Sequence, residues 1–397
     1  MRHLTDRRRA AGGHLRRRLI VVTVSLALAG CSAESGSESI ETNALRTASS
    51  VAATTTAPSA GLPVSASEGP TSIEALPPTP ASPASAEVLP GEAWILSAWY
   101  LPGRNTKNLF LVRPDGTDSH VIFADLPGEH TAAAWSPDGS QFAFTDRDAA
   151  TPDGSIWTAN ADGSGARLLT DGGGECPDGT FHPSWSPDGS RLSVICYPDP
   201  GGQEGSVATF DLTTRQVTRL YTVKLPEHLD GPAKWSPDGA SLAFTIYHWD
   251  PTGQFVDGSL VAVIPAAGGT VRRLTKFAED MTEGSWSPDG SEIAIAKNDV
   301  GMRHSSDHAS NVYAIAPDGT GLRQITRSSV DGYMRIFAPE WLPDGRMLVK
   351  VGVAPHKAGV EPTVNDLQLG FVNPSGGEPA LLPPTIHGGT LRPTPKH

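Results

Sequence analysis

The chain has 397 residues, with 31 basic and 43 acidic side chains and a formal net charge of −12 at pH 7. Its 42 glycines and 35 prolines amount to about a fifth of the sequence, well above the ~12% of an ordinary globular protein, and so many turn formers exclude a helical bundle or a coiled coil. The acidic excess excludes non-specific attraction to nucleic acid or to an anionic membrane surface.

The first thirty residues read as an export signal. Arg7, Arg8, Arg9, Arg16, Arg17 and Arg18 form a basic start, and Leu19 to Ala29 form an apolar run too short to span a bilayer. Leu28-Ala29-Gly30-Cys31 then matches a bacterial lipobox, so Cys31 is the expected lipid attachment site after cleavage. Cleavage there leaves 24 basic and 42 acidic residues, a net charge of −18. Membrane attachment is therefore expected through the lipid, on the outer face of the cytoplasmic membrane. Arg16-Arg17-Arg18-Leu19-Ile20 also resembles a twin-arginine motif, which leaves two export routes open.

Residues 31–90 hold the lipidated cysteine and a tract rich in Ser, Thr, Ala and Pro. No Phe, Trp or Tyr precedes Trp94. Such a tract cannot bury enough apolar surface to offset its ordering entropy, and a disordered tether is expected.

Residues 91–397 repeat. WSPDG occurs at Trp135–Gly139, Trp185–Gly189, Trp235–Gly239 and Trp286–Gly290, and WLPDG at Trp341–Gly345, giving Trp spacings of 50, 50, 51 and 55. Pro presets the first turn dihedral, Asp bonds back to nearby amides, and Gly takes a positive φ. Seven residues after each Trp come Phe142, Leu192, Leu242, Ile293 and Leu348; one further come Ala143, Ser193, Ala243, Ala294 and Val349. Large and small side chains thus alternate on a strand that packs on both faces.

Between these motifs lie strands such as those from Asn108, Ser155 and Asn311, which end in DGT or DGS turns and are followed by a short strand. Each period then supplies four antiparallel strands, the unit of a β-propeller blade. The second series has six members and the Trp series five, so the first blade lacks its innermost strand. Gly389-Thr390-Leu391-Arg392-Pro393 is similar to the lead-in Gly179-Thr180-Phe181-His182-Pro183. The predicted fold is all-β: a six-bladed propeller of four-stranded antiparallel blades, closed by a C-terminal strand that completes the first blade.

WSPDG, an alternating strand, a DGT or DGS turn and an RxLT-like strand together resemble the TolB-type β-propeller repeat, over roughly residues 92–384. That resemblance implies a periplasmic or surface propeller acting mainly by binding protein. TolB proteins proper carry an α/β domain before the propeller and are soluble, so their role in the Tol system is not transferred. Serine hydrolase chemistry is disfavoured, because no Gly-x-Ser-x-Gly pentapeptide occurs.

The short repeated turns share one face, while the irregular loops at 146–154, 197–205, 247–258, 298–310 and 354–366 share the opposite rim, where binding specificity is expected. His182, Asp230, Glu283 and Asp331 occur near the entry to successive innermost strands, where they either ring the channel mouth or serve as loop caps and solvated loop residues. Trp249 and Asp250 suit protein or sugar contacts, unless the Trp packs on a neighbouring blade. His304, Asp307 and His308 have the spacing of weak metal ligands or of a solvated loop. Cys176 and Cys196 approach the same rim and either form a disulfide or remain free, since spacing does not establish their Cα separation. The expected function is a monomeric, cofactor-free binding scaffold for an envelope protein, peptide or glycan. The alternative is a metal-dependent lyase or hydrolase acting on polysaccharide.

Overall fold

The computed structural model describes residues 92–100, 106–123, 128–147, 154–170, 175–177, 179–199, 203–253, 256–298, 310–327, 335–352, 367–384, 386 and 389–393. They form six antiparallel sheets arranged as the blades of a β-propeller. Blade 1 contains β1 (Ile95–Tyr100), β2 (Lys107–Val112) and β3 (His120–Val121). Blade 2 contains β4 (Glu129–Trp135), β5 (Gln141–Arg147), β6 (Ser155–Asn160) and β7 (Arg167–Thr170). Blade 3 contains β8 (Thr180–Trp185), β9 (Arg191–Cys196), β10 (Glu204–Asp211) and β11 (Val217–Lys224).

In blade 4 the innermost strand is split into β12 (Glu227–Leu229) and β13 (Lys234–Trp235), which both pair with β14 (Ser241–Trp249); β15 (Val256–Pro265) and β16 (Arg272–Arg273) follow. The break falls at Asp230-Gly231-Pro232, where Pro232 has no amide to donate and Gly231 has a φ of 78°. Blade 5 contains β17 (Met281–Trp286), β18 (Ile293–Asn298), β19 (Ser310–Ile315) and β20 (Arg323–Gln324). Blade 6 contains β21 (Ile336–Trp341), β22 (Met347–Gly352), β23 (Leu367–Val372) and β24 (Ala380–Leu381).

The last strand, β25 (Thr390–Leu391), pairs with β1 through Ile95↔Leu391 and Leu96↔Thr390 and supplies the missing innermost strand of blade 1. The predicted closure is thus present, and it is reinforced by side chains. Arg392 donates from its backbone to Trp94 O at 2.7 Å and from Nε to Gly139 O at 2.7 Å, with its guanidinium over the Trp135 ring.

Each WSPDG motif builds one turn. In blade 3 Ser186 Oγ donates to Asp188 Oδ1 at 2.5 Å, the Ser190 amide donates to the same oxygen at 3.0 Å, and Gly189 sits at a φ of 68°. The tryptophans then stitch the ring. Trp185 Nε1 donates to Ala134 O, Trp235 Nε1 to Ser184 O and Trp286 Nε1 to Lys234 O, at 3.0–3.1 Å. Each acceptor is the residue just before the preceding blade's Trp. Trp135 Nε1 continues the series onto Thr390 O at 3.2 Å.

Blade 6 departs from the repeat. Trp341 pairs with Met347, six residues on, and Leu348 pairs with Glu340, so the expected alignment of Leu348 with Phe142 is corrected by one position. The cause is a turn one residue shorter, closed by the Leu342 amide on Arg346 O where blade 2 has the Ser136 amide on Gln141 O. Trp341 Nε1 is buried with no hydrogen-bond partner among the described residues.

The core lies between the blades. Phe142 and Phe144 pack with Trp94, Leu96, Leu109 and Leu111 of blade 1, whereas Ala143 joins Trp185, Leu192 and Val194 of blade 3. The same division recurs at the junction of blades 4 and 5, where Ala243 meets Trp286 and Ile293. The large/small alternation in the sequence is therefore the alternation between the two neighbours of each blade, the larger side chains filling the space toward the preceding one.

Candidate functional site

The innermost strands carry a bulge three residues before the repeat Trp. Pairing shifts register there in blades 2, 3, 5 and 6, and Ala132, His182 and Ala338 take positive φ values of 49–55°. Alanine stands at this position in blades 2 and 6, and blade 3 has histidine. The His182 amide is held by Thr145 Oγ1 of blade 2 at 3.1 Å. Its ring reaches the other way, and Nε2 lies 3.0 Å from Asp230 Oδ1 in the broken strand of blade 4. The two side chains are 27% and 39% exposed, so the pair is open to solvent at the rim.

Three further groups surround this pair. Burial opposes ionisation of Asp230, but the hydrogen bond and charge of His182 and the Gly231 amide at 2.9 Å outweigh it, holding the carboxyl below its ordinary range. Tyr197 donates to Leu229 O at 3.0 Å; burial and the charge of Asp230 push its hydroxyl up to about 12, against the opposing charge of Arg147. His228 is pulled down to about 4 by burial, which the charge of Asp230 only partly offsets, so it is neutral at pH 7. Arg147 lies over the Phe181 ring at 4.6 Å, and Phe181 meets Tyr197 edge-on. No side chain fits at Gly154, where a Cβ would stand 2.1 Å from the Phe181 ring.

The longest strands among the described residues extend this region. β14 and β15 run nine and ten residues, against six to eight for the second and third strands of the other blades. On β14, Tyr247 and Trp249 share a face, and His228 pairs opposite Tyr247. The His228 ring lies 4.9 Å from Trp249 and 5.2 Å from Tyr247, each at 30°. Two polar pairs border this stack: His248 Nδ1 lies 2.6 Å from Asp257 Oδ1, and Arg273 donates to Glu227 at 2.7 Å. Cys176 and Cys196 are joined by a disulfide that fixes the segment before β8 to the end of β9.

Of the residues singled out from sequence, His182 and Asp230 are brought into contact, and Trp249 joins an aromatic stack with His228. Asp250 sits at the tip of the β14–β15 ribbon and accepts from Thr252 Oγ1 at 2.6 Å. Cys31, His304, Asp307, His308 and Asp331 lie outside the described residues, as does the side chain of Glu283. Sequence reasoning passed over Arg147, Phe181, Tyr197 and His228. The signal available for them was position: Arg147 ends β5, Phe181 stands near the start of β8, Tyr197 follows β9 and His228 lies in the short β12. Among the described residues no group of three or more His, Cys, Asp or Glu side chains is placed to hold a metal ion.

TolB from Acinetobacter baumannii superposes with a TM-score of 0.50 at 21% identity, over 76% of this chain and 64% of that one. The fold is that of a TolB-like β-propeller. The chain thus spans under two thirds of that TolB, and the identity carries the fold alone. Similar propellers occur in the nidogen/laminin complex (TM-score 0.51, 10% identity, 76% of this chain and 99% of that one) and in hydrazine synthase of Kuenenia stuttgartiensis (0.51, 14%, 76% and 46%). No family model matches the chain. A TolB-like propeller is a scaffold on which unrelated functions are built, so function is argued from the site.

Proposed function

We propose that this protein is a cell-envelope lipoprotein, anchored through Cys31, whose TolB-like propeller binds a protein or other envelope ligand with the rim of blades 3 and 4. The observation that carries this reading is the clustering of departures from the repeat. The cross-blade His182–Asp230 pair, the Tyr247–His228–Trp249 stack, the longest ribbon among the described residues and the disulfide all fall in two adjacent blades. A repeat needs none of them for packing, since the other blades close without them. Partly buried aromatic rings bordered by polar and charged side chains are the composition of an interface anchor with a polar surround.

The test is site-specific photocrosslinking in intact cells, with the photoreactive residue at position 249 or, as a control on the opposite face, at position 138. A discrete adduct from position 249, absent from 138 and reduced at least tenfold by Asp230→Asn, is expected. No adduct from 249, or equal adducts from both positions, overturns the assignment of the rim.

A further inference from the structure

Five residues before the repeat Trp, blades 2, 3, 5 and 6 bury a side chain: His130, Thr180, Met281 and Ile336 are 0–1% exposed. Blade 4 has Asp230 at that position, and the break after β12 brings it to the rim, where its side chain is 39% exposed. Its two bonds, from His182 Nε2 at 3.0 Å and from the Gly231 amide at 2.9 Å, both end on Oδ1. Oδ2 accepts nothing among the described residues. Four other carboxylates of blades 3 and 4 are paired with basic side chains of the same chain: Glu227 with Arg273, Asp257 with His248, Glu204 with Lys224 and Glu175 with Arg219. Arg147, whose charge also reaches Tyr197, lies over Phe181 and makes no ion pair with Asp230.

Asp230 adjoins the aromatic stack. His228 stands two residues before it and so shares its side of the chain, Tyr247 pairs opposite His228, and Trp249 follows two residues along β14. The charges of His228 and Asp230 act on one another. From Asp230 to Trp249 the strip covers four steps of strand, roughly 13 Å at the usual rise. Trp94, Trp135 and Trp235 each carry an arginine of this chain over the ring, namely Arg113, Arg392 and Arg191. Trp249 is partly exposed, and among the described residues no arginine or lysine covers it.

A carboxylate oxygen with no bond, set beside a run of ring faces, suits a flat cation. Guanidinium donates in its plane and stacks through its face, whereas an ammonium is a compact, strongly hydrated point charge. The net charge of −12 draws a basic partner toward the molecule from a distance.

We propose that this part of the rim receives an arginine side chain of a protein partner. Its guanidinium donates to Asp230 Oδ2, its stem crosses the His228 and Tyr247 rings, and the partner's adjoining residue meets Trp249. The proposal names the chemistry of the partner and rests on the reading of this rim as the binding face.

The experiment is ligand-observed saturation-transfer NMR on the folded, mature chain with three blocked hexapeptides of one serine and glycine frame, whose central leucine follows arginine, citrulline or glutamate. The arginine peptide is expected to bind. The citrulline peptide, which keeps the shape without the charge, and the glutamate peptide are expected to be at least tenfold weaker. Asp230→Asn should weaken the arginine peptide at least tenfold and Trp249→Leu at least threefold, while Asp162→Asn, which removes a carboxylate from a turn on the opposite face, leaves it unchanged. Trp249→Leu provides an independent reading should Asp230→Asn fold poorly. Absence of arginine-peptide binding at 10-millimolar order, equal binding of citrulline, binding undiminished in Asp230→Asn, or an equal loss in Asp162→Asn overturns the proposal. The two readings fail separately: an adduct from position 249 in cells that excess arginine peptide does not compete away overturns the arginine assignment alone, whereas failure to form any adduct there overturns the rim as the binding face.

Discussion

At the scale of single residues, two kinds of titrating group respond to acid in different pH windows. Asp188 sits in its turn with Ser186 Oγ and the Ser190 amide as donors, and these bring it down to about 2. A carboxyl depressed in the folded state stabilises above its unfolded value near 4, and that stability is lost as the pH falls toward 2. His228 is a base depressed to about 4 by burial, so it costs nothing above its ordinary value of 6.5 and opposes folding progressively as the pH falls from there to about 4. The midpoint of unfolding is therefore expected to drop between pH 6.5 and 4, before the turn aspartates titrate. In His228→Phe, thermal melts over that interval should show a flatter profile; an unchanged slope would remove His228 as the cause. Asp188→Ala should lower stability by about 1 kcal/mol at pH 7, read by urea unfolding, because two hydrogen bonds to a charged acceptor are lost at an exposed turn. The turn role of these aspartates was legible in WSPDG, since Pro, Asp and Gly each have one mechanical use there. The depression of His228 was not legible, because it depends on rings that arrive from β14 and on burial by the fold.

At the scale of elements, the closing strand is small and its consequences are large. β25 contributes two residue pairs, yet Thr390, Leu391 and Arg392 touch blades 1, 2 and 6. Thr390 Oγ1 donates to Glu340 at 2.8 Å, Thr390 O accepts from Trp135, and Arg392 reaches Gly139 O. Deleting residues 388–397 opens the inner edge of blade 1 and leaves the Trp135 indole without its acceptor; a sharp fall in melting temperature is expected, and an unchanged one would refute closure. The disulfide acts within one blade. It closes a loop between positions 20 residues apart, for which loop-closure arguments give about 3 kcal/mol. Reduction, or Cys176→Ser with Cys196→Ser, is expected to lower stability by that order in chemical unfolding, and alkylation of the native, unreduced protein should label neither thiol. The strand pattern was legible because it recurs five times. The broken innermost strand of blade 4 was harder to see, although Gly231-Pro232 carries its cause, since a single unit has no repetition to reinforce the reading.

At the scale of the whole molecule, the propeller is regular where it packs and irregular in one sector. Blades 3 and 4 hold the rim cluster, the broken innermost strand and the disulfide. Comparing a blade with its siblings distinguishes packing from function in a way that a single sequence otherwise cannot: Ala132 and Ala338 show what the bulge needs, and His182 shows what it has been given beyond that need. The rim pair was within reach of sequence reasoning because both residues lie shortly before a repeat Trp, His182 inside β8 and Asp230 at the break of the innermost strand of blade 4. For the intact chain, Cys31→Ser is expected to move the protein from the membrane fraction to the soluble fraction, read by fractionation of cells; retention on the membrane would sink the proposed lipid anchor.

The ladder of indole N–H groups has a mechanical consequence. It runs without interruption from Thr390 through Trp135, Trp185, Trp235 and Trp286, and it stops at Trp341, whose Nε1 is buried without a partner among the described residues. Four of the six joints carry this rivet; the joint of blades 5 and 6 has the indole without its acceptor, and at the joint of blades 6 and 1 the closing strand β25 has no Trp. Amide exchange in β21 is therefore expected to be faster than in β4, β8 and β17, whose tryptophans are bonded across their joints.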